Sequence, residues 1–302
     1  MPLSVPFAIG SFRCHLLDGG VQWLDGGAMF GVVPWTLWSR RVTVDERRRI
    51  PLAMRCLLVE HPDGLVLIDT ALGDKQDAKF LDIYGVANAG HPGPTRLEDA
   101  IRHAGFTPDE VRWVINTHLH FDHAGGNTLR PQADDAGRDP EPAPPRLAFP
   151  NATYITQRGE LEFARRANER TRASYLPPNF EPVAEAGKWR LVEGDGEILP
   201  GIRARLTPGH VPYHMSIVVA SGGETACFLA DVIPTTAHLP LPWIMGYDLE
   251  PLRTLESKRA LLREAVDGGW LLVFEHDPTV GAGRPVLTGR DVSLVDRLEQ
   301  PV

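Results

Sequence analysis

The segment Thr117-His118-Leu119-His120-Phe121-Asp122-His123-Ala124-Gly125-Gly126 constrains this 302-residue chain more than any other feature. Four side chains able to ligate a metal, His118, His120, Asp122 and His123, fall within six residues. They follow residues 111–116, whose Val, Trp and Ile content predicts a buried strand. In extended backbone alternate side chains point the same way, so His118 and His120 can grip one ion together. A tight turn then lets Asp122 and His123 face a second ion close by. Gly125 and Gly126 permit close backbone approach at the start of a helix. Three imidazoles buried together without a metal would leave ring nitrogens unpaired.

One such cluster cannot complete two coordination shells. The rest of the chain offers matching pieces, each just past a strand-like run. Thr207-Pro208-Gly209-His210 follows residues 202–206, Asp231 follows 226–230, and Glu275-His276-Asp277-Pro278 follows 270–274. Loops at strand ends, held by a rigid sheet, are where a precise site is commonly carried.

The remaining pattern is mixed. Residues 52–60 and 65–69 are β-rich runs joined by the turn sequence His61-Pro62-Asp63-Gly64, in which His61 reads as a turn residue. A helix is predicted over 96–104, with Thr95 and Glu98 as a capping box and Gly105 past its end. Further strands are predicted at 153–156, 189–192 and 215–220. Helices are predicted at 160–167 and 251–266, the latter with Leu252, Leu255, Leu262 and Val266 on one face. An aromatic loop (about 26–40) is expected to lie on the core or to wall a pocket. A Pro-rich surface loop (about 131–145) is expected within one continuous domain, 1–302, because the motif before the loop needs ligands after it.

Bulk properties exclude several classes. A net charge of −8 is wrong for a protein that binds nucleic-acid backbone, and the basic run at 40–49 is broken by Asp45 and Glu46. Cys14, Cys56 and Cys227 are too few and scattered for a disulfide framework and read as reduced thiols. No basic segment precedes an apolar one at Met1-Pro2-Leu3-Ser4, and no apolar run reaches the ~18 residues that cross a bilayer. The expected protein is cytoplasmic, with neither nucleic acid nor membrane as partner, and a homodimer stays compatible with these readings.

On His118-x-His120-x-Asp122-His123, His210 in Thr-Pro-Gly-His, Asp231 and His276, the chain resembles the metallo-β-lactamase-fold hydrolases over about residues 52–278. Within them it looks like the dinuclear quorum-quenching lactonase branch and its related hydrolases. The resemblance implies an α+β four-layer αββα sandwich, two mixed sheets with helices on the outer faces. It implies that His118, His120 and His210 hold one metal, that Asp122, His123 and His276 hold the other, and that Asp231 bridges them. Zinc is the expected pair of ions, with Mn, Fe or Co chemically admissible. The implied reaction is attack by a metal-bridging hydroxide on a lactone or carboxylic ester, with Asp122 as proton shuttle. Phosphotriesters and hydroxyacylglutathione-type thioesters are the alternative substrates. Asp69 and His214 are expected to orient ligands from behind.

The chain departs from that pattern at one position. Acyl-homoserine lactonases commonly carry a Tyr three residues after the bridging Asp, where this chain has Pro234. His238, on the same loop, is expected to contact the attacked carbonyl instead, with Tyr213 and Tyr247 as the other candidates. The aromatic N-terminal segment and Pro242-Trp243-Ile244-Met245 suggest an apolar pocket for a small ester or lactone.

Overall fold

The protein is described from a computed structural model covering residues 2–131, 144–289 and 291–301. Among these residues the chain builds two seven-stranded mixed sheets. The first runs in the order Ser4–Ile9, Phe12–Asp25, Arg49–Glu60, Leu65–Ile68, Val111–Ile115, Thr153–Gln157, Trp189–Val192. Its later strands are parallel and its earlier ones antiparallel. The second runs Gly196–Leu199, Ile202–Leu206, Met215–Ser221, Glu224–Phe228, Leu271–Val273, Val280–Thr288, Asp291–Glu299, with one parallel pair, Glu224–Phe228 beside Leu271–Val273.

The sheets pack face to face through Leu16, Leu57, Ile68 and Ile115 of the first and Ile202, Ile217, Phe228 and Val273 of the second, all fully buried. On the outer face of the first sheet the helix Arg96–His103 buries Leu97, Ala100 and Ile101. On the outer face of the second, Pro251–Asp267 buries Leu261, Leu262 and Ala265. The result is the four-layer αββα sandwich. The Thr95 hydroxyl accepts from Glu98 N–H at the start of Arg96–His103, while the Glu98 carboxylate turns to Arg102 and leaves the expected box half closed.

The strand Phe12–Asp25 runs through Gly19 and Gly20 over 14 residues, with a bulge between Asp18 and Val21. Two expectations change. The face buried by Pro251–Asp267 is rotated from the expected one. Leu252 is 79% exposed, while Lys258 is buried and donates to the carbonyls of Pro240 and Trp243. The aromatic segment forms two short helices, Gly26–Phe30 and Trp35–Trp38, whose Phe30 and Trp38 pack with Met245 and Trp243. Most of the Pro-rich segment, 132–143, lies outside the described residues. Among the described residues no helix is long and apolar enough to cross a membrane.

Candidate metal centre

The ends of five strands meet at one edge of the sandwich. Asp69 follows Leu65–Ile68, His118 follows Val111–Ile115, His210 follows Ile202–Leu206, Asp231 follows Glu224–Phe228, and His276 follows Leu271–Val273. Backbone bonds join the sheets there: Met215 N–H donates to Thr117 O at 3.2 Å, and Ala53 N–H to His276 O at 3.2 Å. His120 opens the short helix Phe121–Ala124. Gly125 and Gly126 are required by crowding, since a Cβ at Gly126 would stand 2.0 Å from Thr70 O and one at Gly125 2.2 Å from Leu72 O. Asp69 and Ala230 hold left-handed backbone, φ 55 and 48. This conformation costs a non-glycine residue on the order of 1 kcal/mol and collects at functional sites.

Two of three groups of donor atoms are His118, His120, His210 with Asp231, and Asp122, His123 with His276; the third, Asp69 with Glu275, shares His123 with the second. In the first, His210 Nε2 lies 2.9 Å from Asp231 Oδ2 and 3.1 Å from His120 Nδ1, and His118 Nε2 lies 3.8 Å from Asp231 Oδ2. In the second, His276 Nε2 lies 3.2 Å from His123 Nε2 and 3.8 Å from Asp122 Oδ2, and His123 Nε2 lies 3.8 Å from Asp122 Oδ1. Asp231 also reaches this group, Oδ1 lying 3.1 Å from His276 Nε2 and Oδ2 3.5 Å from His123 Nε2. Donors about 2.0–2.1 Å from a tetrahedral ion stand roughly 3.3 Å apart, so this spacing fits a divalent cation in each group. The buried His118 Nε2 has no hydrogen-bond partner among the described residues, as a lone pair kept for a cation would.

A second ring of acceptors fixes the tautomers. His210 Nδ1–H donates to Asp248 at 2.9 Å and His276 Nδ1–H to Ala53 O at 2.6 Å. His123 Nδ1–H donates to Asp69 Oδ2 at 3.0 Å, and the Glu275 carboxylate stands beside the same nitrogen, Oε2 3.0 Å away. Each of these rings therefore turns its Nε2 lone pair inward. Asp69 also accepts from Thr117 N–H and Oγ–H at 2.8 and 2.7 Å. His214 accepts from Asp231 N–H at 3.1 Å, holding that residue's backbone. Glu160, fully buried, accepts from Leu119 N–H at 3.0 Å and Tyr175 O–H at 2.8 Å, and the Tyr175 ring stands edge-on to His120 at 4.7 Å.

The electrostatics point the same way. Burial, then neighbouring histidines, hold His118 and His120 well below the ordinary imidazole value. Against burial, Asp231 and Asp248 hold His210 up at about 10, and Asp231 with Glu275 holds His276 up at about 9. Against burial, Glu275, Asp231 and Asp122 raise His123 well above its usual range. Despite burial, His210, His123 and His276 hold the Asp231 carboxyl well below the usual range. Asp231 and the acids behind these rings thus favour positive charge at this spot, which a bound cation would supply.

A cleft of about 180 Å³ opens over these atoms. His120, Asp122, His210, Asp231 and His276 line it, together with the apolar Leu24, Met29, Leu52, Ala173, Met245 and Leu249, the aromatic Tyr84, Phe121 and Tyr247, and the polar Arg170, Thr171 and Ser174. His238 is not part of it. Its Nε2–H donates to Met29 O at 2.8 Å, its Nδ1 pairs with the Thr235 hydroxyl at 2.8 Å, and its ring stacks on Phe30 at 4.6 Å. With both nitrogens occupied and the ring 1% exposed, His238 has no free donor for a substrate, which corrects the expected carbonyl contact. Tyr213 covers Gly159, away from the cleft lining. Gln22, Tyr84, Glu160, Asp248 and Glu275 were not singled out by the sequence. Glu275, beside His276, was the one within reach of a motif.

A model of the metallo-beta-lactamase superfamily matches residues 51–276. The N-acyl homoserine lactonase AiiA of Bacillus thuringiensis subsp. kurstaki is 30% identical over 234 residues, 75% of this chain and 82% of its own. The N-acyl homoserine lactonase AttM of Rhizobium radiobacter is 28% identical over 243 residues, 74% and 82% of the two chains. Among solved structures, a probable metal-dependent hydrolase from Staphylococcus aureus superposes with a TM-score of 0.83 at 29% identity, over 97% of this chain and 100% of that one. AidC, a dizinc quorum-quenching lactonase, shares the fold at a TM-score of 0.75 and 20% identity, over 98% of each chain.

Proposed function

This chain belongs to the metallo-beta-lactamase superfamily and is a metal-dependent hydrolase, and from that premise we propose that it opens small apolar lactones or cleaves carboxylic esters at a two-metal centre. In this reading His118, His120 and His210 would hold one cation and Asp122, His123 and His276 the second, with Asp231 within reach of both groups. The nitrogen and oxygen donors suit zinc. When bound, such a pair supplies Lewis acidity toward the carbonyl oxygen and an acidified water as nucleophile at neutral pH.

The chain's own groups do the rest. Leu24, Met29, Leu52 and Met245 line the cleft and seat the acyl or aryl part while excluding water. An oxygen of Asp122, at the cleft surface, takes the proton from the attacking water and returns it to the leaving oxygen. Tyr247 is the donor to the attacked carbonyl, the part His238 cannot play. Burial, with Tyr84, Asp25 and Asp122 nearby, pushes its phenol up to about 12, so it keeps its proton at neutral pH.

The observation that carries the reading is the convergence of both donor groups under an apolar cleft. The relatives named as N-acyl homoserine lactonases support lactones as the first substrates to try. The test is a hydrolysis panel of lactones, aryl esters, phosphotriesters and thioesters with metal-reconstituted enzyme. Lactones or carboxylic esters should lead by about tenfold or more in kcat/KM, a gap of about 1.4 kcal/mol. A lead by phosphotriesters or thioesters overturns the assignment.

A further inference from the structure

Gln22 lies on the strand Phe12–Asp25, in register with Leu52, and is fully buried. Side chains two apart on a strand share a face, so Gln22 points to the same side as Leu24, which lines the cleft as Leu52 does. An apolar residue would fill such a position without cost. Gln22 instead buries an amide whose Oε1 has no partner among the described residues, an arrangement that is unfavourable by itself. The other end of the amide is engaged: Nε2–H donates to Asp122 Oδ2. The reverse orientation would set the amide oxygen against a carboxylate, so the contact fixes which way the amide faces.

We infer that Gln22 is a positioning residue for Asp122, holding Oδ2 so that Oδ1 stays on the side of His123 Nε2, 3.8 Å away. This rests on the role given to Asp122 above. A carboxylate free to rotate would alternate its two oxygens between the cation side and the cleft. With Gln22 on Oδ2, which lies 3.8 Å from His276 Nε2, the plane of the group is set and Asp122 keeps its place in the cleft lining for proton transfer. The contact crosses 100 residues of sequence, joining the first sheet's long strand to the motif helix. The role predicts a defect in turnover rather than in substrate binding.

The test uses Gln22→Met, which keeps length without a donor, and Gln22→Glu, which keeps shape without a donor while ionised. In both, zinc content per chain should match wild type, kcat should fall by about 10- to 100-fold, and KM should move little. In the Asp122→Asn background, adding Gln22→Met should cause no further loss of kcat, because the partner is already altered. In ¹⁵N-labelled wild-type protein the Gln22 side-chain amide resonance should shift when Asp122 is changed to Asn. Unchanged kcat in Gln22→Met, an equal further loss in the Asp122→Asn background, or an amide resonance indifferent to Asp122 each overturns the inference. If Asp122→Asn itself turns over like wild type, the role of Asp122 falls instead. The resonance measurement on unaltered Gln22 decides the matter even if the Gln22 variants do not fold.

Discussion

Replacing Glu160 by Gln should stabilise the metal-free protein at alkaline pH and not at acid pH. Burial, set against its bonds from Leu119 and Tyr175, pushes the Glu160 carboxyl from 4.5 to about 7. A carboxyl whose folded value is raised lends stability through its protonated form. That stability is fully present below about 4.5 and is lost as pH rises through about 7. The gap, at about 1.36 kcal/mol per unit of pH, makes the ionised form about 3 kcal/mol costly above pH 7. Glutamine keeps the oxygen that accepts from Leu119 and Tyr175 and does not ionise. Urea unfolding of chelated protein should therefore show Glu160→Gln gaining up to about 3 kcal/mol over wild type at pH 8 and little at pH 4.5. Bound cations would lower the carboxyl again, which is why chelation matters. A difference between the proteins that stays the same at both pH values refutes the reasoning.

Other expectations are simpler. His238→Ala should lower stability by about 2 kcal/mol or more, through a lost ring and two unpaired groups, while kcat stays within about threefold of wild type; a large fall in kcat with intact metal content would return His238 to the reaction. Cys14, Cys56 and Cys227 are buried free thiols, burial pushing Cys14 up to about 12 and holding Cys56 and Cys227 well above the ordinary thiol value. Replacing all three by Ala should leave activity per folded molecule intact, and its loss with full metal content would count against this. Asp248→Asn should weaken metal retention by about 10- to 100-fold, because His210 loses the charged acceptor behind it, and equilibrium dialysis with a chelator would reveal this.

The cluster of candidate metal ligands was legible because its chemistry is written in contiguous form. His118 to His123 declare themselves in six residues, and His210, Asp231 and His276 each stand just past a strand-like run. Strands and helices with a clear apolar period were legible for the same reason. Contacts made by distant residues were not. Nothing local marks Gln22 as a partner of Asp122 or Glu160 as the acceptor for Leu119 N–H, since each pairing depends on how the first sheet and the segment after it fold back. His238 shows the converse: a histidine on a promising loop whose ring is taken up by Met29 O, Thr235 and Phe30, a partner set 209 residues away at its farthest. The hairpin Val280–Thr288 with Asp291–Glu299 escaped notice because its exposed face mixes charges with exposed Leu287 and Val295, blurring the alternation.

The most direct measurement is elemental analysis of the wild-type protein and Asp231→Ala after gentle purification and zinc reconstitution. Asp231 lies within reach of both donor groups, Oδ2 2.9 Å from His210 Nε2 and Oδ1 3.1 Å from His276 Nε2. The account predicts about two ions per chain in the wild type and well under one in Asp231→Ala, with hydrolysis lost in step. Wild-type protein that takes up one ion or fewer, or Asp231→Ala that still holds about two, would contradict it.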